Sequence, residues 1–279
     1  MGKDKRVKLY GLEQLLIDLK PRRCDADVYL KDEIDVTDLY NYIKKNKEEG
    51  KSYTFFHAMV LALAKTIYNR PRLNHYVQNR HVYEHSDVKI SFTAKIEFED
   101  SSEEVLLIIP VHPDDTMETL SKNIKEQVDR LRSKKFEKKG ANSAIDIVGK
   151  LPNIIRVPLV GLLKFMDSKG CLPKSLQEDD LYFASAIVTD IGTFKIPAIY
   201  HNNTNFGTCS SITAIGEMRD REVDGKKRKI VSVGINFDER VADGFYLIKS
   251  YKLLEYILQN PKLLETKASE KIKIPENKR

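Results

Sequence analysis

The sequence has 279 residues, of which 41% are hydrophobic and 32% charged, and its formal net charge is +6. This composition is that of a globular protein able to bury a sizeable core, and it excludes a disordered or fibrous chain. The sequence contains no apolar run of the roughly 18–20 residues that span a membrane, no secretory signal and no nucleic-acid recognition motif. We therefore predict a cytoplasmic protein with neither a membrane nor a nucleic-acid partner.

The cysteines and histidines give little sign of a metal or redox centre. Cys24, Cys171 and Cys209 are odd in number and far apart, and the six histidines are scattered. This spacing matches no metal-binding pattern, so no metal site is predicted and the thiols are expected to be reduced. A hydrolase that uses Cys209 as nucleophile stays open as an alternative, with only the lone thiol in its favour.

The first part of the chain alternates between helical and strand-like patterns. The leucines of Tyr10–Leu19 recur at helical spacing, and Pro21 ends this short predicted helix. Val28–Val36 is typical of a strand and is followed by a predicted helix at Asp38–Glu49. The next predicted helix, Phe55–Asn69, is apolar nearly all round, so we expect it to be buried.

The middle of the chain adds strands and one amphipathic helix. Tyr76–Tyr83, Val88–Glu97 and Val105–Val111 are predicted strands, and Met117–Lys135 has leucine, isoleucine and valine on one helical face. Residues 136–180 carry apolar helical patches broken by prolines. They either cover a cleft or an oligomer face, or pack as ordinary structure.

The C-terminal part contains a strand, a corner and a helix. An Asp-Gly turn within Val223–Lys226 predicts a hairpin that leads into the strand Lys229–Phe237. The corner Asp238–Gly244 follows, and leucines and a tyrosine of Phe245–Gln259 recur on one helical face. Side chains at such a strand-to-helix corner can be aimed into a cleft.

This order of elements predicts an α/β (α+β) two-layer sandwich, with helices packed on a mixed sheet. We divide the chain into an N-terminal arm at 1–27, one domain at 28–264 and a charged C-terminal tail at 265–279. Residues 136–180 form an insert in the domain.

Several motifs in the same order resemble one family. The corner Asp-Glu-Arg-Val-Ala-Asp-Gly at 238–244 is similar to the Asp-His-Arg-Val-Ile-Asp-Gly signature of the dihydrolipoamide acyltransferase catalytic domains. It is also similar to the His-x-x-x-Asp-Gly of chloramphenicol acetyltransferase. Glu33-Ile-Asp-Val-Thr37 and Pro71-Arg-Leu-Asn74 resemble further segments of the acyltransferases. The resemblance covers roughly residues 28–135 and 181–264 and implies a chloramphenicol acetyltransferase-like fold.

The resemblance also implies partners and substrates. Members of this family form homotrimers that hold coenzyme A or a pantetheine-like thiol in a channel between subunits. The substrate is a small-molecule thioester such as acyl-coenzyme A, and no cofactor is bound covalently. The base lies on one subunit and a hydroxyl that stabilises the tetrahedral intermediate lies on its neighbour.

Residue by residue, the family pattern is matched only in part. Glu239 stands where the family has its catalytic His. Thr189 takes the place of the hydroxyl donor, and Asp243 takes the place of an Asp in a structural ion pair, with Arg22 or Arg23 as its partner. His201 is a further, weaker candidate for the missing base.

The substitution at the base leaves two functions open. A thiol has a pKa near ~8.5 and a glutamic acid near ~4.3, so proton transfer to an unperturbed Glu is uphill by about 5–6 kcal/mol, whereas a His near ~6.5 faces about half of that. One hypothesis is a stand-alone, coenzyme A-dependent acyltransferase that uses Glu239. The other is a catalytically inactive trimeric scaffold or regulatory homologue that binds coenzyme A or a partner.

Overall fold

The computed structural model describes residues 4–95, 104–132, 140–178 and 180–275. The strands of these ranges form a six-stranded sheet and a separate three-stranded sheet. The strands are β1 (Lys5–Val7), β2 (Asp27–Asp35), β3 (His75–Gln78), β4 (His81–Glu84), β5 (Val88–Lys95), β6 (Glu104–Val111), β7 (Ala186–Asp190), β8 (Ser211–Val223) and β9 (Lys226–Asp238).

The helices flank these sheets. They are α1 (Leu12–Leu19), α2 (Thr37–Glu48), α3 (Phe55–Asn69), α4 (Met117–Arg132), α5 (Gly140–Gly149), α6 (Asn153–Ser168), α7 (Lys174–Gln177) and α8 (Gly244–Gln259). In the part of the chain that the structure describes, none of them is long and apolar enough to cross a bilayer.

The larger sheet is mixed, as predicted. Its strand order is β2-β9-β8-β7-β5-β6. The three pairs β2–β9, β9–β8 and β5–β6 are antiparallel, whereas β7 pairs in parallel with both of its neighbours. Helices α2, α3, α4 and α8 share one apolar core with the sheet. The prediction of a two-layer α/β sandwich is therefore confirmed.

Helix α3 is the centre of that core. Thr54 caps its N-terminus by accepting a hydrogen bond from the backbone N–H of His57 at 3.1 Å. Every residue from His57 to Ile67 is buried, which includes the Lys65 side chain. The Lys65 ammonium donates to the backbone oxygens of Thr266 and Lys267 at 3.0 and 2.5 Å, so residues just after the predicted domain boundary lie against this helix.

The segment predicted as one strand at Tyr76–Tyr83 is a hairpin instead. Strands β3 and β4 are antiparallel and are joined by Asn79 and Arg80, both of which have positive φ angles of 48° and 61°. Two successive residues with positive φ are the mark of the tight turn that suits the twist of a hairpin. The prediction of a single strand is therefore wrong.

Helix α6 presents an apolar surface to solvent in the single chain. Ile154, Leu162 and Phe165 are 84%, 55% and 60% exposed, whereas Asp167 at its end is buried. Such a surface on a helix is typical of a face that contacts another molecule. Residues 136–139 and 179 of the predicted insert lie outside the described residues.

Two glycines allow a loop to pack directly on the far face of the sheet. A Cβ atom at Gly216 of β8 would lie 2.1 Å from the backbone nitrogen of Ala198, and one at Gly234 of β9 would lie 2.7 Å from the backbone oxygen of Ile199. The backbone nitrogen of Ala198 also donates to the Ser232 hydroxyl at 3.0 Å. Residues 198–199 thus touch the sheet backbone with no side chain between them.

This close approach predicts opposite effects for two glycine substitutions. Gly216→Ala should lower the free energy of unfolding by about 1–3 kcal/mol, because the new methyl group forces the loop off the sheet. Gly161 lies inside α6 with open space around it, so Gly161→Ala should raise that free energy by about 0.5–1 kcal/mol. Urea denaturation of both variants measures this, and equal effects would show that the loop does not pack as described.

Candidate functional site

The corner after β9 is held by a helix cap and by apolar contacts. The carboxylate of Asp243 accepts a hydrogen bond from the backbone N–H of Tyr246 at 2.8 Å and thereby caps α8. Phe237, just before the corner, and Val241 and Ala242 within it are buried in one small apolar cluster. The corner is therefore fixed at both ends.

A buried cluster of three charges lies under the corner. The carboxylate of Asp238 is fully buried and accepts two hydrogen bonds from the Arg240 guanidinium, at 2.8 Å to Nε and 2.7 Å to Nη2. The Nε of Arg23 lies 3.6 Å from the same carboxylate. Burial lowers the pKa of Arg23, and the charge of Asp238 opposes that shift. Two cations thus share one buried anion.

The two arginines connect the corner with distant segments. Arg23 donates to the backbone oxygens of Thr204 and Gly207 at 2.8 and 2.9 Å. Arg240 donates to the backbone oxygen of Lys20 at 3.2 Å. The N-terminal arm, the loop before β8 and the corner are therefore held together by one cluster of charges and hydrogen bonds.

In the single chain, the two arginines predicted to pair with Asp243 contact other carboxylates. Among the described residues neither predicted arginine contacts Asp243, because Arg22 pairs with Asp25 at 2.7 Å and Arg23 with Asp238. The physical reason is burial. Asp243 is exposed and accepts a hydrogen bond from the Tyr246 N–H at the start of α8, whereas the fully buried Asp238 requires cations beside it.

Glu239 points away from this cluster into a partly exposed position. Its backbone N–H donates to the Ala26 oxygen at 2.9 Å, and its Oε2 lies 2.5 Å from the Lys20 ammonium. The side chains of Glu239 and Lys20 are 34% and 35% exposed. One carboxylate oxygen is therefore engaged by an ammonium group, and the side chain can be reached from solvent.

Thr189 lies far from Glu239 within one chain. It pairs with Ala214 of β8, which in turn pairs with Gly234 of β9. Glu239 comes five residues after Gly234, which is roughly 17 Å along the strand direction at a rise of ~3.4 Å per residue. The two strand spacings from β7 to β9 separate Thr189 and Glu239 by about a further 10 Å across the sheet. A small reacting group cannot contact both side chains in a single subunit.

His201 is in the loop that runs beside the start of β2. Its neighbours fix that loop, since the Asn202 side chain accepts from the Tyr29 hydroxyl at 2.6 Å and Asn203 donates to Asp27 at 2.7 Å. Burial lowers the pKa of His201, which favours the neutral form of its ring. Contact between His201 and Glu239 is absent from the described residues, so His201 is not assembled with the corner in one chain.

Cys209 is placed as a structural residue. It is 3% exposed, and its thiol donates to the backbone oxygen of Ser211 at 3.1 Å. Burial raises the pKa of the thiol to about 11, so it stays protonated at neutral pH. Because the thiolate is the reactive form, this geometry does not support a Cys209 hydrolase.

A basic cavity of about 310 Å³ opens beside the corner. Its charged lining residues are Arg22, Arg23, Arg80, Asp167, Lys169 and Arg240. Burial raises the pKa of Asp167, which also accepts a hydrogen bond from the Gly207 N–H. We name this the basic cavity. Its excess of cations suits an anionic group.

The cavity was not predicted from the sequence, because its charges come from four separate segments. No local sequence pattern indicates that these four arginines and one lysine meet around one cavity. Within the described ranges the structure brings together no group of three or more His, Cys, Asp or Glu side chains that could hold a metal ion.

Comparison with known proteins identifies the fold. Residues 22–149 match the family model of the 2-oxoacid dehydrogenases acyltransferase catalytic domain. The probable dihydrolipoamide acetyltransferase from Listeria monocytogenes has 17% sequence identity and a TM-score of 0.59, and the alignment covers 92% of this chain and 95% of that one. The sequence has no significant match among curated proteins.

Two further structures extend the comparison. The cubic core of the pyruvate dehydrogenase multienzyme complex has 15% identity and a TM-score of 0.60, with 92% of this chain and 93% of that chain covered. Chloramphenicol acetyltransferase has 12% identity and a TM-score of 0.56, with 92% and 100% covered.

The chain thus has the fold shared by the acyltransferase catalytic domains and chloramphenicol acetyltransferase. The resemblance to this family that the sequence motifs predicted is confirmed. The family match ends at residue 149, before the corner that contains Glu239. The roles of Glu239, Thr189, Asp243 and His201 therefore stay predictions.

The buried charges predict a large difference between two adjacent arginines. Arg23→Met should lower the free energy of unfolding by about 3–5 kcal/mol, because it removes the buried ion pair with Asp238 and the hydrogen bonds to three backbone oxygens of the loop before β8. Arg22→Met changes an exposed pair and should leave the unfolding midpoint unchanged. Urea denaturation at neutral pH compares the two, and similar midpoints would contradict the assignment of Arg23 to Asp238.

Proposed function

We propose that this protein is a coenzyme A-dependent acyltransferase in which Glu239 is the general base. The observation that carries this proposal is the position of Glu239. A capped helix and a buried ion cluster hold the corner rigidly, and yet the carboxylate is partly exposed. A base needs such a fixed backbone together with access for its substrate.

The reaction transfers an acyl group from sulfur to an acceptor. The acceptor's N, O or S atom attacks the thioester carbonyl while Glu239 takes its proton. The tetrahedral intermediate then collapses with cleavage of the carbon–sulfur bond, and the departing thiolate of coenzyme A receives the proton from Glu239. The products are the acylated acceptor and the free thiol of coenzyme A. An N–H or O–H donor near the carbonyl oxygen stabilises the intermediate, and we assign this role to Thr189.

The working form is a homotrimer. Because Glu239 and Thr189 are separated by about 20 Å within one chain, a site that uses both must take Thr189 from a neighbouring subunit. Exposed apolar side chains in the segment between β7 and β8 support a contact between subunits. Phe194 is 73% exposed, Ile196 43% and Tyr200 46%.

Coenzyme A enters as a substrate, and no covalently bound cofactor is required. The basic cavity lies beside the corner, and its cations suit the phosphate groups of the nucleotide end. The thiol end would then extend toward Glu239. We place the protein in the cytoplasm, since Cys24, Cys171 and Cys209 are free, as is usual in a reducing compartment.

The Lys20 contact favours a second candidate function. If the ammonium stays on Glu239, the corner has no available base and the trimer acts as a scaffold or regulatory homologue that binds coenzyme A or a partner. In that case Lys20 and Glu239 form only a structural ion pair.

Substitution of Glu239 separates the two functions. With acetyl-coenzyme A and a panel of amine and thiol acceptors, Glu239→Gln should lower kcat by about 10²–10⁴-fold, since the amide cannot accept the proton. Glu239→His should retain activity and should favour thiol acceptors, because its pKa of about 6.5 is closer to that of a thiol. Release of free coenzyme A is the readout.

Two results would contradict the acyltransferase proposal. Equal turnover by the wild type and Glu239→Gln would remove Glu239 from the mechanism. No turnover by the wild type, together with saturable binding of coenzyme A, would identify the scaffold instead.

A site shared between subunits predicts complementation. Glu239→Gln and Thr189→Ala should each be inactive alone. If they are dissociated, mixed in equal amounts and reassembled, about one interface in four should combine an intact Glu239 with an intact Thr189, so about a quarter of wild-type activity should return. The mass of the assembly, measured by sedimentation equilibrium, serves as the control for reassembly. A mixture that stays inactive although mixed trimers have formed would rule out the shared site.

A further inference from the structure

A second cavity lies inside the subunit, away from the basic cavity. It has a volume of about 390 Å³ and lies between the sheet and helices α3 and α8. Most of its wall is aliphatic or aromatic, with Leu63, Ile67, Leu247, Leu254 and Phe237 among the lining residues. We name it the apolar cavity. Its volume is near the lower end of the range for small-molecule pockets, about 300–1,000 Å³.

One polar atom in its wall has no partner. Thr213 of β8 lines the cavity and is fully buried, and its hydroxyl makes no hydrogen bond among the described residues. Two other buried hydroxyls of the wall are satisfied within the chain. Thr66 donates to the Ala62 oxygen at 2.8 Å, and Ser250 donates to the Tyr246 oxygen at 2.7 Å. A buried hydroxyl without a partner is unfavourable, and a ligand oxygen can supply the missing acceptor.

The cavity reaches solvent at the edge of the sheet. Strand β2 is an edge strand, and the lining residue Ile248 of α8 is 50% exposed. This opening between β2 and α8 gives a small ligand a way in without unfolding of the core. Gly244, the first residue of α8, also lines the cavity.

The chemistry of the wall restricts the ligand. An aliphatic chain gains from contact with the apolar side chains, and one neutral oxygen can accept a hydrogen bond from Thr213. A carboxylate at the same depth would be unfavourable, because a lone hydroxyl does not compensate for the loss of water around a charge. The ligand is therefore a neutral, medium-length aliphatic alcohol, ketone or similar oxygen compound.

We propose that the apolar cavity is a binding site for such a neutral aliphatic molecule, whose oxygen accepts a hydrogen bond from Thr213. The site borders the corner at Gly244, but among the described residues Glu239 is not part of its lining, and binding there requires no acyl transfer. It goes beyond the proposed function, because binding in the apolar cavity does not depend on coenzyme A or on Glu239.

The test uses 1-octanol as the probe and isothermal titration calorimetry on the full chain. The wild type should bind one octanol per subunit. Thr213→Val keeps the shape of the side chain and removes the hydroxyl, so it should weaken octanol binding by about tenfold. Sodium octanoate at neutral pH should bind at least about tenfold more weakly than octanol.

Two variants complete the design. Thr208→Val is the matched control, because Thr208 is also buried with an unpartnered hydroxyl but does not line the cavity, and it should bind octanol as the wild type does. Ala186 lines the cavity and is buried, so Ala186→Leu should fill part of it and abolish binding. Circular dichroism and thermal unfolding of each variant verify that it is folded.

Three outcomes would overturn the proposal. The first is the absence of saturable octanol binding by the folded wild type. The second is equal affinity of the wild type and Thr213→Val, which would remove the hydroxyl from recognition. The third is undiminished binding by folded Ala186→Leu, which would place the octanol elsewhere.

Discussion

A single buried carboxylate determines how the functional corner is built. Asp238 ends β9 with no exposed surface, and the guanidiniums of Arg240 and Arg23 lie beside it at 2.7 and 3.6 Å. Each arginine uses its remaining donors on backbone oxygens of the N-terminal arm or of the loop before β8. If the carboxylate were lost, two buried cations would have no anion between them, and three segments of the chain would lose their common point of attachment.

The same cluster explains why Glu239 is placed where it is. The residue follows Asp238 directly, and its backbone N–H bonds to Ala26, so the segment that carries Arg23 also holds the backbone of Glu239. The side chain turns outward to Lys20 instead of entering the buried cluster. A catalytic carboxylate needs a fixed backbone and a side chain that substrate can reach. Glu239 combines these two properties, and the proposed function rests on this combination.

Local patterns predicted the elements of the fold well. The helix at Phe55–Asn69 agrees with the structure residue for residue, since the Thr54 cap, the apolar run and the following Pro71 all favour the same boundaries. The strand, corner and helix around Asp238–Gly244 were also predicted correctly. The hairpin at β3 and β4 was missed, because Asn79 and Arg80 lack the glycine that usually marks a turn with positive φ.

The candidate site was less predictable, because its contacts join residues that are far apart in sequence. Lys20 has no feature that predicts a contact with Glu239, and the choice of Arg23 for Asp238 follows from burial, which spacing does not reveal. The distance between Thr189 and Glu239 likewise depends on strand order and register. The sequence pattern of one chain does not predict which residues a neighbouring subunit contributes to a site.

The most direct measurement is an experimental structure of the assembled protein with bound coenzyme A. We predict a trimer in which the coenzyme A sulfur lies within about 3.5 Å of the Glu239 carboxylate, with Thr189 of the partner subunit across the channel. A protein that stays monomeric, or a bound thiol that lies far from Glu239 while Lys20 keeps its ion pair, would contradict it.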